Sequence, residues 1–523
     1  MKLSFGGGLN EQLQPDINEA YKGSYNFLLR KDTNALIPRP PFDLKGTATN
    51  AGDIRGFMQL VKRDDTETTL VQAGNVVYLW DGASSFTSKG TPSATSQLRD
   101  TYWPLDDYLV ITDLQKLTAV SQWDGTTFST LTTGLGSTLY AKYGIVHNGR
   151  VWLFNVKTST DTPHLMVASA FENPKSYDTT QRAVTGTFAT GLEAFYILTP
   201  DLRPINGVAK TLAGDLIIST TEGSLFKLSG TSASTYKFDN FYPGSNAIGN
   251  ESMVSIGNDI VYMKRGGGID SLVATQNYGD VAADDLSRWI PTTTDGLTDT
   301  ISIYDQADQK VLFFVSNKVL VLFKDILYGG GLVGQRGERA RISPWSVYRT
   351  LDSSGFNTSA AKYMRMPGTT EYTVYFGDTA GRIFDFNGTG VSGDAGSSSI
   401  QLVRKSRLVT PEDGVDFMRH ITRGTVQYRR INEVSFSIEL DWADEYIEST
   451  ASVTLKGPPA GDDGAFWGGA VYWGGSFYWN QGFEFTEKIS NQNFSTVGRG
   501  PGCFVTCSSL TSKTYQVDLI EIA

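Results

Sequence analysis

The 523-residue chain is poor in the groups from which most active sites and secreted scaffolds are built. It has two cysteines, Cys503 and Cys507, and three histidines, His147, His164 and His420. The cysteines fall four apart in an extended segment, which separates them by roughly 13 Å. A disulfide needs Cα atoms within about 7 Å, so they read as two half-buried thiols. A disulfide-stapled fold is excluded, and a reducing compartment is expected during folding. No histidine has a glutamate or cysteine partner at metal-ligand spacing, so a zinc site or a Ser-His-Asp triad has little to start from. No cofactor is expected.

Charge is also scarce. Charged residues make up 19% of the chain, against about 25% in ordinary soluble domains, which points to surface buried in an assembly. The net charge of −10 argues against coating nucleic acid, which needs clustered basic charge. It is compatible with an acidic channel along which DNA slides without sticking. Long apolar runs are missing too. The richest, Val311 to Phe323, is broken by Ser316, Asn317 and Lys318. It reads as a hairpin between two buried strands, and no membrane span is expected. Met1 to Phe5 runs directly into Gly6-Gly7-Gly8, with no apolar segment or cleavage pattern, so no signal peptide is expected.

What the chain does have is glycine, 55 residues, and aromatic residues at 12%, a composition of many short strands and turns. Two segments repeat: Trp80-Asp81-Gly82-Ala83-Ser84-Ser85-Phe86 and Trp123-Asp124-Gly125-Thr126-Thr127-Phe128. Each follows an extended stretch and ends in an Asp-Gly turn, because Gly tolerates positive φ and Asp bonds its own backbone. Asp81 and Asp124 are 43 positions apart, and a repeat of roughly 40–45 residues is the spacing of four-stranded propeller blades. Weaker relatives recur at Phe226-Lys227-Leu228-Ser229-Gly230 and Phe384-Asp385-Phe386-Asn387-Gly388. Hairpin turns are expected at Gly74-Asn75, Asn148-Gly149, Gly257-Asn258 and Asn317-Lys318.

The expected fold is all-β: a β-propeller-like body with an extended N-terminal arm and a further β-rich sandwich or barrel. Residues 1–53 form the arm, where Pro15, Pro38, Pro40 and Pro41 exclude long regular elements. It lies on its own body or on a neighbour. Residues 54–397 form the body, with six or seven candidate blades. Residues 398–456 are an insertion or second domain with longer alternating strands, such as Val434, Phe436, Ile438 and Leu440 on one face. Residues 457–523 carry an aromatic, glycine-rich segment and closing strands.

Several segments invite a functional reading beside a structural one. The D-G-x-x-F turn lacks the residue that separates Asp from Gly in the Asp-box of sialidase-like propellers. Asp284-Asp285, Asp444-Glu445 and Asp462-Asp463 are carboxylate pairs without an evident cleft, and read as solvated loops. Gly329 to Arg339 is glycine-rich and basic but lacks the G-K-[ST] ending of a phosphate-binding loop. It reads as a mobile loop or as a loop ordered by a partner or DNA. Arg404, Lys405, Arg407, Arg419, Arg423, Arg429 and Arg430 are opposed locally only by Glu412, Asp413 and Asp416. They form a subunit-contact face or a surface touching phosphates. Trp467, Tyr472, Trp473, Tyr478 and Trp479 lie in a segment too aromatic for a solvated loop. They pack on the chain's own body or fill a pocket on a neighbour, with carbohydrate stacking as a lesser alternative.

Segments spread over most of the chain together carry a resemblance. They are Gly6-Gly7-Gly8-Leu9-Asn10, Gly23-Ser24-Tyr25-Asn26-Phe27-Leu28, Ile37-Pro38-Arg39-Pro40 and Met166 to Pro174. Pro344-Trp345-Ser346-Val347-Tyr348, Tyr375 to Ile383 and Gly498-Arg499-Gly500 complete the set. In these the chain resembles the tail nozzle or hub proteins of short-tailed bacteriophages, including those described as stabilising packaged DNA. The resemblance implies a structural virion protein made in the host cytoplasm, with no catalytic role. It implies a homo-oligomeric ring, a hexamer, below the portal and adaptor, in contact with tail fibres or tailspikes. The ring continues and closes the DNA channel, holds the genome without sequence specificity, and takes part in its ejection. The alternatives are a receptor-binding or adhesion propeller and a propeller glycosidase or depolymerase.

Overall fold

The computed structural model describes residues 2–3, 7–12, 19–30, 33–48, 52–135, 137–178, 193–212, 214–232, 235–242, 244–257, 259–272, 284–328, 343–350, 356–388, 394, 399–406, 418–430, 434–442, 449–455, 486–499, 503–511 and 515–522. Nearly all regular structure among them is strand, and the two α-helices, Pro291–Thr294 and Lys324–Tyr328, are single turns.

Blade one is Ile54–Val61, Glu67–Ala73, Val76–Trp80 and Phe86–Gly90, antiparallel in chain order from the axis outward. Blade two is Leu98–Trp103, Tyr108–Asp113, Ser121–Trp123 and Phe128–Thr130. Blade three runs from Tyr140–His147 to Phe195–Leu198, blade four from Ile205–Lys210 to Lys237–Tyr242, and blade five from Met253–Ile256 to Asp284–Asp285. Blade six is Ile301–Asp305, Lys310–Val315, Lys318–Phe323 and Trp345–Arg349. Blade seven takes three strands from Thr358–Arg365, Tyr372–Asp378 and Arg382–Asp385, and its outermost strand, Asp43–Thr47, comes from the N-terminal arm. Neighbouring blades touch in circular order, mostly through their innermost strands, with blade seven against blade one. The body is therefore a closed seven-bladed β-propeller whose ring is sealed by a strand from the other end of the chain. Such sealing leaves no long bare edge at the seam.

The second strands explain why these segments are strands at all. Tyr108–Asp113 and Lys310–Val315 are buried at every position, as expected for strands covered on both faces by neighbouring blades. The Val311–Phe323 run is the hairpin expected from its sequence, turning at Ser316, whose φ is +51°.

The remaining strands form two more sheets. One has the order Phe27–Arg30, Thr33–Pro38, Tyr515–Ile522, Met418–Arg430 and Thr486–Arg499, with Lys2–Leu3 also on Tyr515–Ile522. The other has the order Ile400–Lys405, Cys503–Thr511, Val434–Trp442 and Ser449–Leu455. Phe27, Leu29 and Leu36 of the first share one core with Leu402, Ile438 and Cys507 of the second, so the two sheets pack as a sandwich. That core continues into Trp345, Val347 and Tyr348 of blade six.

Two boundaries expected from the sequence are thereby redrawn. The arm holds no long element, as expected, but four short pieces of it pair: Lys2–Leu3, Phe27–Arg30 and Thr33–Pro38 in the sandwich and Asp43–Thr47 in blade seven. Residues 398–456 and 457–523 are not separate units, because the closing strands pair directly with Ile400–Lys405, Met418–Arg430 and Val434–Trp442.

Candidate functional site

The repeated W-D-G turns lie at equivalent places. Trp80 ends the third strand of blade one and Trp123 the third strand of blade two; each is the register partner of the Phe that opens the fourth, Phe86 and Phe128. Both indoles are buried. Asp81 Oδ1 accepts from the backbone N–H of Ala83 and Ser85 at 2.8 and 3.1 Å. Asp124 Oδ1 accepts from Thr126 and Thr127, both at 2.8 Å. Burial is the largest single influence on the Asp124 carboxyl and raises it, but the backbone bonds from Thr127 and Thr126 together outweigh it and hold the carboxyl below its usual range. Gly82 and Gly125 sit at φ +88° and +97°, where an L side chain is strained. Each turn abuts the first hairpin of the preceding blade: Gly82 faces Pro367 of blade seven, and Gly125 faces Lys62 of blade one. The motif is a blade-to-blade joint. The weaker relatives also end third strands, at Leu225–Ser229 and Arg382–Asp385.

The polar groups that converge do so at the propeller axis. The inner strand of blade two, Leu98–Trp103, carries Arg99 and Asp100. Arg99 Nε donates to Glu251 Oε1 at 2.5 Å, reaching from blade two to the short 3-10 turn before blade five. Arg99 Nη1 donates to the carbonyls of Arg55 and Leu98, each at 2.7 Å. Lys362 of blade seven reaches past blade one to Asp100, donating to Oδ1 at 2.5 Å and also engaging Oδ2. Asp100 Oδ2 accepts the Gln59 backbone N–H of blade one at 3.0 Å. Gln59 Nε2 in turn donates to Glu67 Oε1 at 2.9 Å and to the Arg365 carbonyl at 2.7 Å. Burial raises the Glu67 carboxyl despite these bonds and the nearby Arg365 guanidinium.

Two ion pairs thus link non-adjacent blades: Arg99–Glu251 joins blades two and five, on opposite sides of the ring, and Lys362–Asp100 joins blades seven and two past blade one. Their side chains are mostly covered, with exposures of 21% and 24% for Arg99 and Glu251 and 26% and 12% for Lys362 and Asp100. Chemically the cluster is a set of matched charges that ties blades one, two, five and seven together. Among the described residues no group of three His, Cys, Asp or Glu side chains is placed to hold a metal ion. Sequence patterning gives little sign of this cluster, since Arg99 and Asp100 interrupt an otherwise weak strand signal and their partners are up to 262 positions away.

The structure separates the basic residues that the sequence grouped. Arg404 and Lys405 end the first strand of one sandwich sheet, whereas Arg419, Arg423, Arg429 and Arg430 belong to a strand of the other. Arg407 lies outside the described residues. Arg404 is corrected outright. It is 3% exposed, lies over the Phe27 ring at 5.5 Å and donates to the Gly7 carbonyl at 3.2 Å. Burial lowers its guanidinium to about 10. It therefore faces neither DNA nor a neighbouring subunit, because the chain's own arm covers it. Lys405 is half-buried, its backbone N–H bonded to Ser24 Oγ.

Trp467, Tyr472, Trp473, Tyr478 and Trp479 lie outside the described residues, as do the 329–339 loop and the pairs Asp444-Glu445 and Asp462-Asp463. Asp285 of the remaining pair caps the 3-10 turn Leu286–Trp289 by accepting from the Ser287 N–H, a structural role. His147 is buried beside Trp152 and Tyr236. No helix among the described residues is long and apolar enough to cross a membrane.

No family model and no curated protein matches the chain. Among solved structures it is similar to virginiamycin B lyase from Staphylococcus aureus, at 11% identity and a TM-score of 0.42 over 65% of this chain and 96% of that one. It is similar to YCF48 bound to D1 peptide, at 10% identity and a TM-score of 0.40 over 67% of this chain and 96% of that one. It is also similar to the N-terminal domain of Nup159, at 9% identity and a TM-score of 0.39 over 67% and 97%. All three are β-propellers, as this chain is by its own strand order and circular blade contacts.

Proposed function

We propose that the chain is a structural subunit of a short-tailed bacteriophage tail, a nozzle or hub protein that assembles as a ring, a hexamer, around the DNA channel. The observation that carries this reading is a convergence. Four segments that hold the resemblance meet at one seam, although more than three hundred positions divide the contacting arm residues from their partners in blade six. Gly8 N–H donates to the Ser343 carbonyl and Leu9 N–H to the Trp345 carbonyl, both at 2.7 Å. Asn26 N–H donates to the Val347 carbonyl at 2.7 Å. Arg39 Nη2 donates to the Arg349 carbonyl at 3.0 Å. A Cβ on Gly8 would collide with the carbonyl oxygens of Trp345 and Ser343, which gives that glycine a physical reason.

The axial ion pairs also favour a body over a conduit. The Arg99–Glu251 pair bridges opposite sides of the ring, so a DNA channel belongs between copies and not through one. The acidic chain suits that wall, since it repels phosphates. The adaptor side, the fibres or tailspikes and the closed gate remain part of the same proposal, and catalysis is not.

The test is assembly. Purified full chain, alone and mixed with the adaptor ring of its own phage, is sized by light scattering and imaged by electron microscopy. Closed rings of six copies are expected. A strict monomer in both samples would overturn the reading.

A further inference from the structure

In blade six, Lys318 and Arg349 are register partners on the antiparallel ladder. Directly opposed side chains have Cβ atoms about 5 Å apart, and like charges there destabilise a sheet. Neither cation has a carboxylate within ion-pair distance among the described residues. Lys318 Nζ has only the Thr293 carbonyl at 3.4 Å. The Arg349 guanidinium lies over the Tyr25 ring at 3.2 Å, a contact that leaves its N–H edge without an acceptor.

Both line a cleft of about 490 Å³ where the arm, blade six and the sandwich meet. Glu11 is the one carboxylate among its described lining residues. Both of its oxygens are taken by Thr293, from the backbone N–H at 2.9 Å and the hydroxyl at 2.5 Å. Gln401 also lines the cleft. Its Oε1 accepts the Tyr25 hydroxyl at 2.7 Å, which makes its amide N–H groups the side chain's remaining donors. The cleft thus gathers donors and two positive charges against the single negative charge of Glu11, whose oxygens are bonded to Thr293.

We propose that this cleft is an oxyanion site, in which a carboxylate or phosphate group of a small solute bridges Lys318 and Arg349, with the Gln401 amide as third donor. The anion converts a repulsive cross-strand pair into two charge-assisted hydrogen bonds. Burial lowers the Lys318 ammonium, with Glu11 opposing, so the lysine gains more from an arriving anion than a solvated one does. The size of the cleft suits a group such as citrate or a phosphomonoester and not a duplex DNA backbone.

The test uses the full chain with inorganic phosphate and citrate as probes, against sodium chloride at matched ionic strength. Calorimetry and thermal melting are both read. Saturable binding and a raised Tm are expected with one or both probes; phosphate alone or citrate alone identifies the group preferred. Lys318→Met and Arg349→Met should each weaken binding about tenfold, the loss of one charged hydrogen bond. Without anion Lys318→Met should melt no lower than the parent, because it removes one member of the like-charged pair and leaves the Arg349–Tyr25 contact in place. A parent that responds to neither probe beyond chloride overturns the site. So do well-folded variants that respond as the parent does. Neither result depends on ring assembly.

Discussion

Arg39 and Asp394 form a bidentate ion pair with both side chains buried, at 2.8 Å from Nη1 to Oδ1 and 2.5 Å from Nη2 to Oδ2. It sits where the arm enters the propeller and where the chain leaves it. Asp394 Oδ1 also accepts the Phe42 N–H at 3.0 Å, one residue before the closing strand Asp43–Thr47. Arg39 Nε donates to Asn26 Oδ1 at 3.1 Å, and its guanidinium lies 3.9 Å from the centre of the Phe42 ring. The latch fixes the seam of the ring from inside.

Removing one partner of this latch leaves a buried charge alone. Arg39→Met or Asp394→Leu is therefore expected to cost about 3–5 kcal/mol. The double variant is expected to cost less than the sum, because no unpaired charge remains. Urea unfolding of the three variants checks this, and simple additivity would count against the latch.

The two repeat turns should differ in tolerance. Gly82→Ala and Gly125→Ala both place a Cβ at positive φ, at about 1–2 kcal/mol each. At Gly82 the new Cβ also meets the Pro367 ring at 2.6 Å, whereas at Gly125 it meets the flexible end of Lys62 at 3.1 Å. The loss measured by denaturant should be larger at Gly82.

His147 should make stability depend on pH. Burial lowers its imidazole to about 4 from an ordinary 6.5, with Lys210 adding to the effect. The fold holds it neutral, so between those values the unfolded chain binds more protons and stability rises with pH. The contribution is complete above about pH 6.5 and lost as pH falls toward 4, by roughly 3 kcal/mol. Asp270, Asp305 and Asp385 are raised chiefly by burial and slope the other way. The check is therefore the difference between the parent and His147→Phe. That variant should be less pH-sensitive through this window, and an unchanged slope would exclude the role.

Cys507 should be inert. It is buried, and burial pushes its thiol up to about 12 despite the Arg404 guanidinium nearby. Maleimide labelling followed by mass spectrometry should modify Cys507 only after unfolding. The same core makes Arg404→Glu a folding defect: soluble yield should collapse, while Lys405→Glu, half-buried, should be tolerated. Equal yields would contradict the burial of Arg404.

Sequence alone determined the blade. The Trp80 and Trp123 turns, 43 positions apart between Asp81 and Asp124, gave the unit and its step. The fully buried middle strands, such as Val311 to Val315, were legible as apolar runs because neighbouring blades cover both faces. The turn after Val311–Val315 was legible as a polar break at Ser316, Asn317 and Lys318, although the residue at positive φ is Ser316. The inner strand Leu98–Trp103 was not, because its Arg99 and Asp100 look solvated until Glu251 and Lys362 are brought to them from non-adjacent blades. The arm's strands were masked by Pro38, Pro40 and Pro41, which forbid long elements but permit short ones that end at or before a proline. That Asp43–Thr47 closes blade seven, that both chain ends build one sandwich, and that Arg404 is core were decided only by tertiary structure. Each depends on pairing between residues hundreds of positions apart, and local propensity and periodicity carry no information about which distant partner satisfies a strand edge or a buried charge.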